Sequence, residues 1–171
     1  MDGVNRNMNI AVFVDEFPKL SETFILNQIT GLMDAGHTVS VFARTRSSEK
    51  IFHPDVHKYH IWDTIQYYGM PMNKLMRIIK VVLLIVMYFF KSPRSLDLLS
   101  GAKYGAAAKN LLLFYYGKDL VNNKYDVYHC HFGPIGAAFT ELRDAISPAT
   151  KVVVSFHGVD VSKHVNENGV D

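Results

Sequence analysis

Several sequence patterns that would assign a common function are missing from this chain. It has no G-x-G-x-x-G fingerprint, no Walker A sequence and no G-x-S-x-G elbow, which argues against the usual NAD-binding, ATP-binding and α/β-hydrolase proteins. Its single cysteine, Cys130, excludes an intramolecular disulfide and suits a reducing compartment. Residues 1–8 lack the apolar segment of a secretory signal and are expected to be flexible.

The chain also lacks an uncharged apolar segment long enough to span a membrane, and its net charge is small. Val81–Phe90, between two lysines, has ten residues without a charge, whereas a membrane-spanning helix needs about 20. The net charge of +2 is too small to suggest general nucleic-acid binding. Apolar residues make up 49% of the 171 residues, which is enough for one domain with a buried core.

Positive charge is concentrated in residues 74–109, which hold seven Lys/Arg and one acid, Asp97. Four of these cations fall within about one third of the circumference of a helix predicted over residues 73–90. They are Lys74, Arg77, Lys80 and Lys91. The pattern fits a helix lying in a membrane interface with its cations toward anionic headgroups. It also fits a buried core helix with solvated ends.

Alternating strand and helix patterns predict an open, mostly parallel, Rossmann-like α/β sheet with helices on both faces. A first βαβ unit has strands at 9–14 and 38–43, joined by a helix that Ser21 caps and Gly36 ends. A helical insertion covers about 72–116, with its second helix at 94–116, and a short strand is placed within 57–62. A second βαβ unit has strands at 126–131 and 151–156 around a helix at 135–146.

Polar segments follow three of the predicted strands, at 15–23, 129–134 and 156–160. The carboxyl ends of parallel strands meet at one edge of such a sheet, where ligands bind. The first segment contains Ser21-Glu22-Thr23, whose position at a helix N-terminus suits an anion such as a phosphate. Plain helix capping explains the same three residues.

The other two segments are rich in histidine. His129 and His131 share a strand face, but no further Cys or His follows at zinc-site spacing, so no metal site is predicted. Cys130 reads as a small packed hydrophobe, and His131 as a polar contact in the crevice. In the last segment, Gly158 permits close approach and Asp160 can orient the His157 imidazole or bind a sugar hydroxyl. A turn with an exposed histidine explains that segment equally well.

Three motifs, taken together, resemble family 4 glycosyltransferases of the exopolysaccharide and colanic-acid type. They are Phe17–Gly31 (FPKLSETFILNQITG), followed by Ala35-Gly36-His37-Thr38-Val39; Val127–Gly133 (VYHCHFG); and Ser155–Asp160 (SFHGVD). They occur in family order across residues 9–164, which we take as one N-terminal glycosyltransferase domain. The resemblance implies a GT-B fold, in which two Rossmann-like domains enclose the active site.

The resemblance further implies a retaining enzyme that needs no cofactor or essential metal. It moves a hexosyl unit from a nucleotide-sugar to a lipid-linked or oligosaccharide acceptor in surface polysaccharide biosynthesis. His157 would be catalytic, beside the transferred sugar. Ser21, Glu22, Thr23, His131, Gly158 and Asp160 would bind the acceptor or the donor phosphates. The enzyme would be cytoplasmic, with the basic, apolar helix on the inner face of the membrane.

The sequence ends at Asp171, and we expect it to stop before the donor-binding domain that the family resemblance implies. Residues 165–171 are expected to be a loop at a truncated end, and the fragment is expected to be inactive alone. Two alternatives stay open. One is a non-catalytic module that binds a glycan or a lipid phosphate, or is a subunit of a split enzyme. The other is another sugar-nucleotide enzyme, such as an epimerase of GT-B architecture.

Overall fold

The computed structural model describes residues 6–109 and 111–158. Five strands in this part of the chain form one parallel sheet: β1 (Asn9–Phe17), β2 (Thr38–Arg46), β3 (Ile65–Tyr67), β4 (Val127–His131) and β5 (Lys151–Ser155). Their spatial order is β3-β2-β1-β4-β5. The predicted class, an open parallel Rossmann-like sheet, is confirmed.

Helices connect these strands. The α-helices are α1 (Thr23–Asp34), α2 (Pro54–Lys58), α3 (Ile61–Thr64), α4 (Lys74–Lys91), α5 (Gly101–Lys109), α6 (Leu112–Gly117) and α7 (Gly133–Ile146). Short 3₁₀ segments cover Leu20–Glu22 and Pro93–Leu99. Gly36 has φ +85°, the left-handed conformation expected of a residue that ends a helix.

The described residues divide into two compact units. The sheet unit comprises 6–67, 125–140 and 149–158, and the helical unit comprises 68–124 and 141–148. The segment predicted as a helical insertion, about 72–116, lies within the helical unit. The predictions for Asp160 and for residues 165–171 lie outside the described residues, as do those for residues 1–5.

The core of the sheet unit covers both faces of β1, because successive strand residues point to opposite faces. Val12 and Val14 are buried in one cluster with Ile25 and Ile29 of α1. Phe13 points to the other face, where it packs against Phe42, Tyr128 and, on α7, Phe139. Helices therefore pack on both faces of the sheet, as the sequence predicts.

Two local predictions are wrong. Residues 57–62, expected to contain a strand, form the end of α2, a turn and the start of α3, and the third strand begins only at Ile65. The long helix expected over 94–116 is divided: Pro93–Leu99 is a 3₁₀ segment, and Gly105, with φ +58°, kinks α5 in its middle. Leu111, with φ +63°, separates α5 from α6, because a left-handed backbone cannot continue a right-handed helix.

Helix α4 is held in the helical unit by a narrow stripe. Val81 and Tyr88 are buried, and the Tyr88 hydroxyl donates to Asp119. Ten large apolar side chains of the helix are exposed: Leu75, Met76, Ile78, Ile79, Val82, Leu83, Val86, Met87, Phe89 and Phe90. The interpretation of α4 as a buried core helix is therefore wrong. No helix among the described residues is both long and apolar enough to cross a bilayer.

Candidate functional site

Two of the three polar segments meet in a direct hydrogen bond at the carboxyl edge of the sheet. His131, the last residue of β4, places its Nδ1 atom 3.1 Å from Nε2 of His157, which follows β5. The two imidazoles are nearly parallel, with 5.3 Å between their centroids. The structure thus brings together two histidines that the sequence singled out separately.

The polar segment at 15–23 is followed directly by Phe24, in the first turn of α1, and Phe24 contacts this pair. The Phe24 ring lies 4.5 Å from the His157 ring, centroid to centroid. Phe24 was a missed contact, since the sequence analysis considered the preceding triplet. The sequence does indicate that Phe24 lies outside the helix face that carries Ile25 and Ile29. Those two residues are buried in the structure, whereas Phe24 is 42% exposed.

The strand alternation explains why His129 and His131 take part together. Their rings stack with 4.7 Å between centroids, which confirms that they share a face of β4. His129 is in register with Val12, whose side chain packs in the cluster beneath α1. The histidines therefore lie on the α1 side of the sheet, and Cys130 is buried on the opposite side.

Strand β5 supplies a second polar partner that sequence reasoning missed. His129 Nε2 and Ser155 Oγ are 2.8 Å apart. Parallel pairing sets this neighbourhood, because β4 and β5 run in register from Val127 opposite Lys151 to His131 opposite Ser155. The result is two adjacent cross-strand hydrogen bonds, one to Ser155 and one to His157.

Burial keeps the inner histidines neutral. The His131 side chain is fully buried, and this desolvation, with repulsion from His129 and His157, lowers its pKa to about 3. Burial lowers the pKa of His129 as well. Among the described residues, Nε2 of His131 has no hydrogen-bond partner. His131 is thus an uncharged group with one nitrogen bonded and one unpaired.

A strained turn links the strand to α7 beside this pair. Phe132 has φ +74°, which is uncommon for a bulky residue and stores strain. Its ring lies 4.9 Å from the His157 ring. A Cβ added to Gly133 would lie 2.9 Å from Cε1 of Phe156, so this glycine permits a close approach. These contacts confine the His157 imidazole between aromatic rings.

The Ser21–Thr23 triplet lies just before Phe24, but Ser21 is not the helix cap that was predicted. Glu22 occupies that position, without a side-chain cap hydrogen bond. The chain turns through the 3₁₀ segment first, which moves the helix start to Thr23. Glu22 instead accepts from Lys19 at 3.1 Å, and the pairing raises the lysine pKa. An anion here would compete with Glu22, and binding by the triplet stays a prediction.

The remaining site predictions have a plain outcome. Gly158 is exposed, and an added Cβ would meet no atom within 4 Å, so no close approach within the described structure requires a glycine there. Its role in binding stays a prediction. Asp160 lies outside the described residues. The thiol of Cys130 is buried, which raises its pKa to about 12 and makes it a packed, unreactive group. No three His, Cys, Asp or Glu side chains within residues 6–109 and 111–158 are grouped as metal ligands.

Comparison with known proteins agrees with the motif resemblance. The chain is 29% identical to a protein of Escherichia coli (strain K12) named as the colanic acid biosynthesis glycosyltransferase WcaL, over 91% of this chain and 38% of that protein. It is 30% identical to the amylovoran biosynthesis glycosyltransferase AmsK of Erwinia amylovora, over 94% of this chain and 40% of that protein. The chain is similar to glycosyltransferases. No protein-family model matches it.

The predicted resemblance to exopolysaccharide glycosyltransferases is confirmed by these relatives. A Salmonella typhimurium protein, also named WcaL, is 28% identical over 158 residues. The chain spans about two fifths of the length of the curated relatives it matches. The histidine pair and Phe24 therefore lie in a region that is shared with named glycosyltransferases.

Proposed function

We propose that this chain forms the acceptor-side wall of a retaining glycosyltransferase that moves a hexosyl unit from a nucleotide-sugar to a glycan or lipid-linked acceptor. The observation that carries the proposal is the meeting of Phe24, His131 and His157 at the carboxyl edge of a parallel sheet. Ligands of open α/β folds bind at this edge. The similarity to two named exopolysaccharide glycosyltransferases supports a sugar as the ligand.

The chemistry requires stabilisation of the charge that develops on the leaving diphosphate. In the described part of this region, Lys19 is paired with Glu22, and Arg44 with Asp15. Both of these cations are thus already paired with a carboxylate. We therefore assign the diphosphate mainly to a donor-binding domain outside this chain and the transferred sugar to the His157 side. The fragment alone should not catalyse transfer.

The test uses labelled nucleotide-sugars with membrane extracts as the acceptor source. The product of the complete reading frame containing these codons is compared with residues 1–171. We expect transfer only by the former, and turnover by the short chain would contradict the two-domain assignment. His157→Ala in the complete protein should lower turnover at least tenfold. His57→Ala, an exposed change on α2, serves as the control.

We also propose that α4 docks on the cytoplasmic leaflet, where a lipid-linked acceptor would lie. Its ten exposed apolar side chains cover about half of the circumference at 100° per residue. Residues 64–96 contain five Lys/Arg and no acid, so the segment complements an anionic surface. This combination of a wide apolar face and flanking cations is typical of interfacial helices.

The cations do not all contribute equally to this surface. Arg77 and Lys80 donate to the carbonyl oxygens of Pro71 and Gly69, each at 3.1 Å. Lys91 lies over the Tyr88 ring, with 5.4 Å to its centroid. Lys74, at the start of the helix, is exposed. We assign headgroup contact chiefly to Lys74 and Lys91, and treat Arg77 and Lys80 as partly engaged within the helical unit.

Vesicle co-sedimentation tests this docking. We expect binding to vesicles containing phosphatidylglycerol, weaker binding to pure phosphatidylcholine, and loss with Leu83→Glu/Phe90→Glu. Ile51→Glu changes an apolar residue that is 74% exposed in the sheet unit and should leave binding intact. Binding unaffected by the α4 substitutions would contradict the proposal. So would concentration-dependent dimers abolished by them, since a second copy would then cover the face.

A further inference from the structure

His131 holds its two ring nitrogens in very different surroundings. Nδ1 is within hydrogen-bond distance of His157, whereas Nε2 is buried with no partner among the described residues. A neutral imidazole has one N–H donor and one acceptor nitrogen, and its surroundings decide which is which. The unequal environments therefore select one tautomer of His131.

The two tautomers leave different groups unsatisfied. With its proton on Nε2, His131 would bury an N–H that has no acceptor within the described structure. With its proton on Nδ1, the N–H donates to His157 and only a lone pair remains unpaired. Orphaned N–H groups are rarer inside proteins than under-used acceptors, because a buried donor without an acceptor loses its hydrogen bond to water and gains none in return. The second tautomer is favoured.

We propose that His131 is a positioning residue that donates its Nδ1–H to Nε2 of His157 and so fixes the His157 ring with its own proton on Nδ1. Phe24 and Phe132 set the plane of the His157 ring by packing, at 4.5 and 4.9 Å between centroids. The hydrogen bond from His131 decides which nitrogen of the His157 ring carries the proton.

This assignment has a chemical consequence, which rests on the proposed function. A His157 ring with its proton on Nδ1 has no ring-nitrogen lone pair left to take up a proton, because Nε2 accepts from His131. It therefore does not suit removal of a proton from an attacking hydroxyl. We assign His157 a role at the sugar other than that of a general base.

The tautomers can be read directly in the 171-residue chain labelled with ¹⁵N, from long-range ¹H–¹⁵N correlation spectra at neutral pH. We expect protonated Nδ1 and unprotonated Nε2 for both His131 and His157. A protonated Nε2 on His157 in the unmodified chain would overturn the proposal by itself. This readout does not depend on activity or on a ligand.

Two substitutions separate positioning from packing. His131→Phe keeps an aromatic ring and removes the donor, so the His157 proton should redistribute toward Nε2. His131→Asn places an amide N–H near the former Nδ1 and should restore the original tautomer. His57→Phe, at an exposed position on α2, should leave the tautomers of both His131 and His157 unchanged. An unchanged His157 tautomer in folded His131→Phe would contradict the positioning role, as would failure of His131→Asn to restore it.

The complete protein gives a separate readout. There, His131→Phe should raise KM for the nucleotide-sugar or lower kcat at least fivefold, and His131→Asn should recover most of the loss. If the tautomers are as proposed but no transfer is found with any nucleotide-sugar, the proposed function fails and the positioning role stands. The two proposals can thus fail independently.

Discussion

The Phe24 ring lies against the His157 imidazole, with 4.5 Å between their centroids. One residue belongs to the first strand-to-helix junction and the other follows the last described strand. Their contact joins two motifs that are far apart in the chain. It also places a partly exposed aromatic side chain, Phe24, directly after the triplet that contains the predicted cap, Ser21.

Substitution Phe24→Ala should move the ring proton resonances of His157, because the ring-current contribution of a close aromatic neighbour is lost. Stability should change little, by less than about 1 kcal/mol, since Phe24 is a partly exposed side chain. Leu20→Ala, at a residue 41% exposed in the preceding turn, is the matched control. Equal shifts of the His157 resonances in both variants would argue against the contact.

Helix α7 packs closely against β5 at Gly136. An added Cβ there would lie 2.7 Å from Cγ2 and 2.8 Å from Cγ1 of Val154. Gly136→Ala should therefore destabilise the chain by about 1–3 kcal/mol in urea unfolding, because overpacking forces backbone or side-chain shifts. The double variant with Val154→Ala should lose less stability than the two single changes added together.

Gly31, inside α1, provides the opposite case. An added Cβ there meets no atom within 4 Å, and the residue has an ordinary helical backbone. Gly31→Ala should stabilise the chain by about 0.5–1 kcal/mol, because glycine loses more conformational freedom in a helix. If both Gly→Ala changes shift stability in the same direction, the close approach at Gly136 is not the cause.

Acid should destabilise the fold through His131. Its folded pKa of about 3 lies below the usual histidine value near 6.5, so the unfolded chain binds a proton that the folded chain excludes. The contribution is fully present above about pH 6.5 and is lost as pH falls toward 3, at about 1.4 kcal/mol per pH unit. His131→Phe should flatten the fall in unfolding free energy between pH 6 and pH 4 by roughly this slope.

The unfolding free energy is measured by urea titration at each pH. His57→Phe, which changes an exposed histidine on α2, should show the same dependence of unfolding free energy on pH as the unmodified chain. His129 remains in all variants and keeps its own contribution, since burial lowers its pKa too. An unmodified chain whose slope matches that of His131→Phe would mean that His131 is protonated in the folded state.

Two neighbouring positions on α4 should respond very differently to a charge. Val81→Glu would bury a carboxylate at a site only 7% exposed and should destabilise the chain by more than about 3 kcal/mol. Leu83→Glu, at a residue 67% exposed, should change the unfolding free energy by no more than about 0.5 kcal/mol. Similar losses at both positions would mean that the exposed face is covered in solution.

Sequence patterns predicted four of the five described strands, their parallel arrangement and the shared face of His129 and His131, because these follow from period-2 alternation and short-range geometry. They did not predict the contact of Phe24, since its partner lies on a distant strand. The breaks at Gly105 and Leu111 were missed because neither is marked by proline. Hydropathy alone could not decide whether α4 is buried, since an apolar face fits either a core or an interface.

Cys130 offers a built-in probe of these effects. It is the only cysteine in the sequence, it lies on the face of β4 opposite the histidines, and its side chain is fully buried. A thiol reagent can therefore reach it only when the sheet opens, so the labelling rate reports the opening free energy at one defined atom. Because the histidines titrate on one side of the strand and the thiol reacts on the other, a single chain carries both a proton-sensitive element and its own independent reporter.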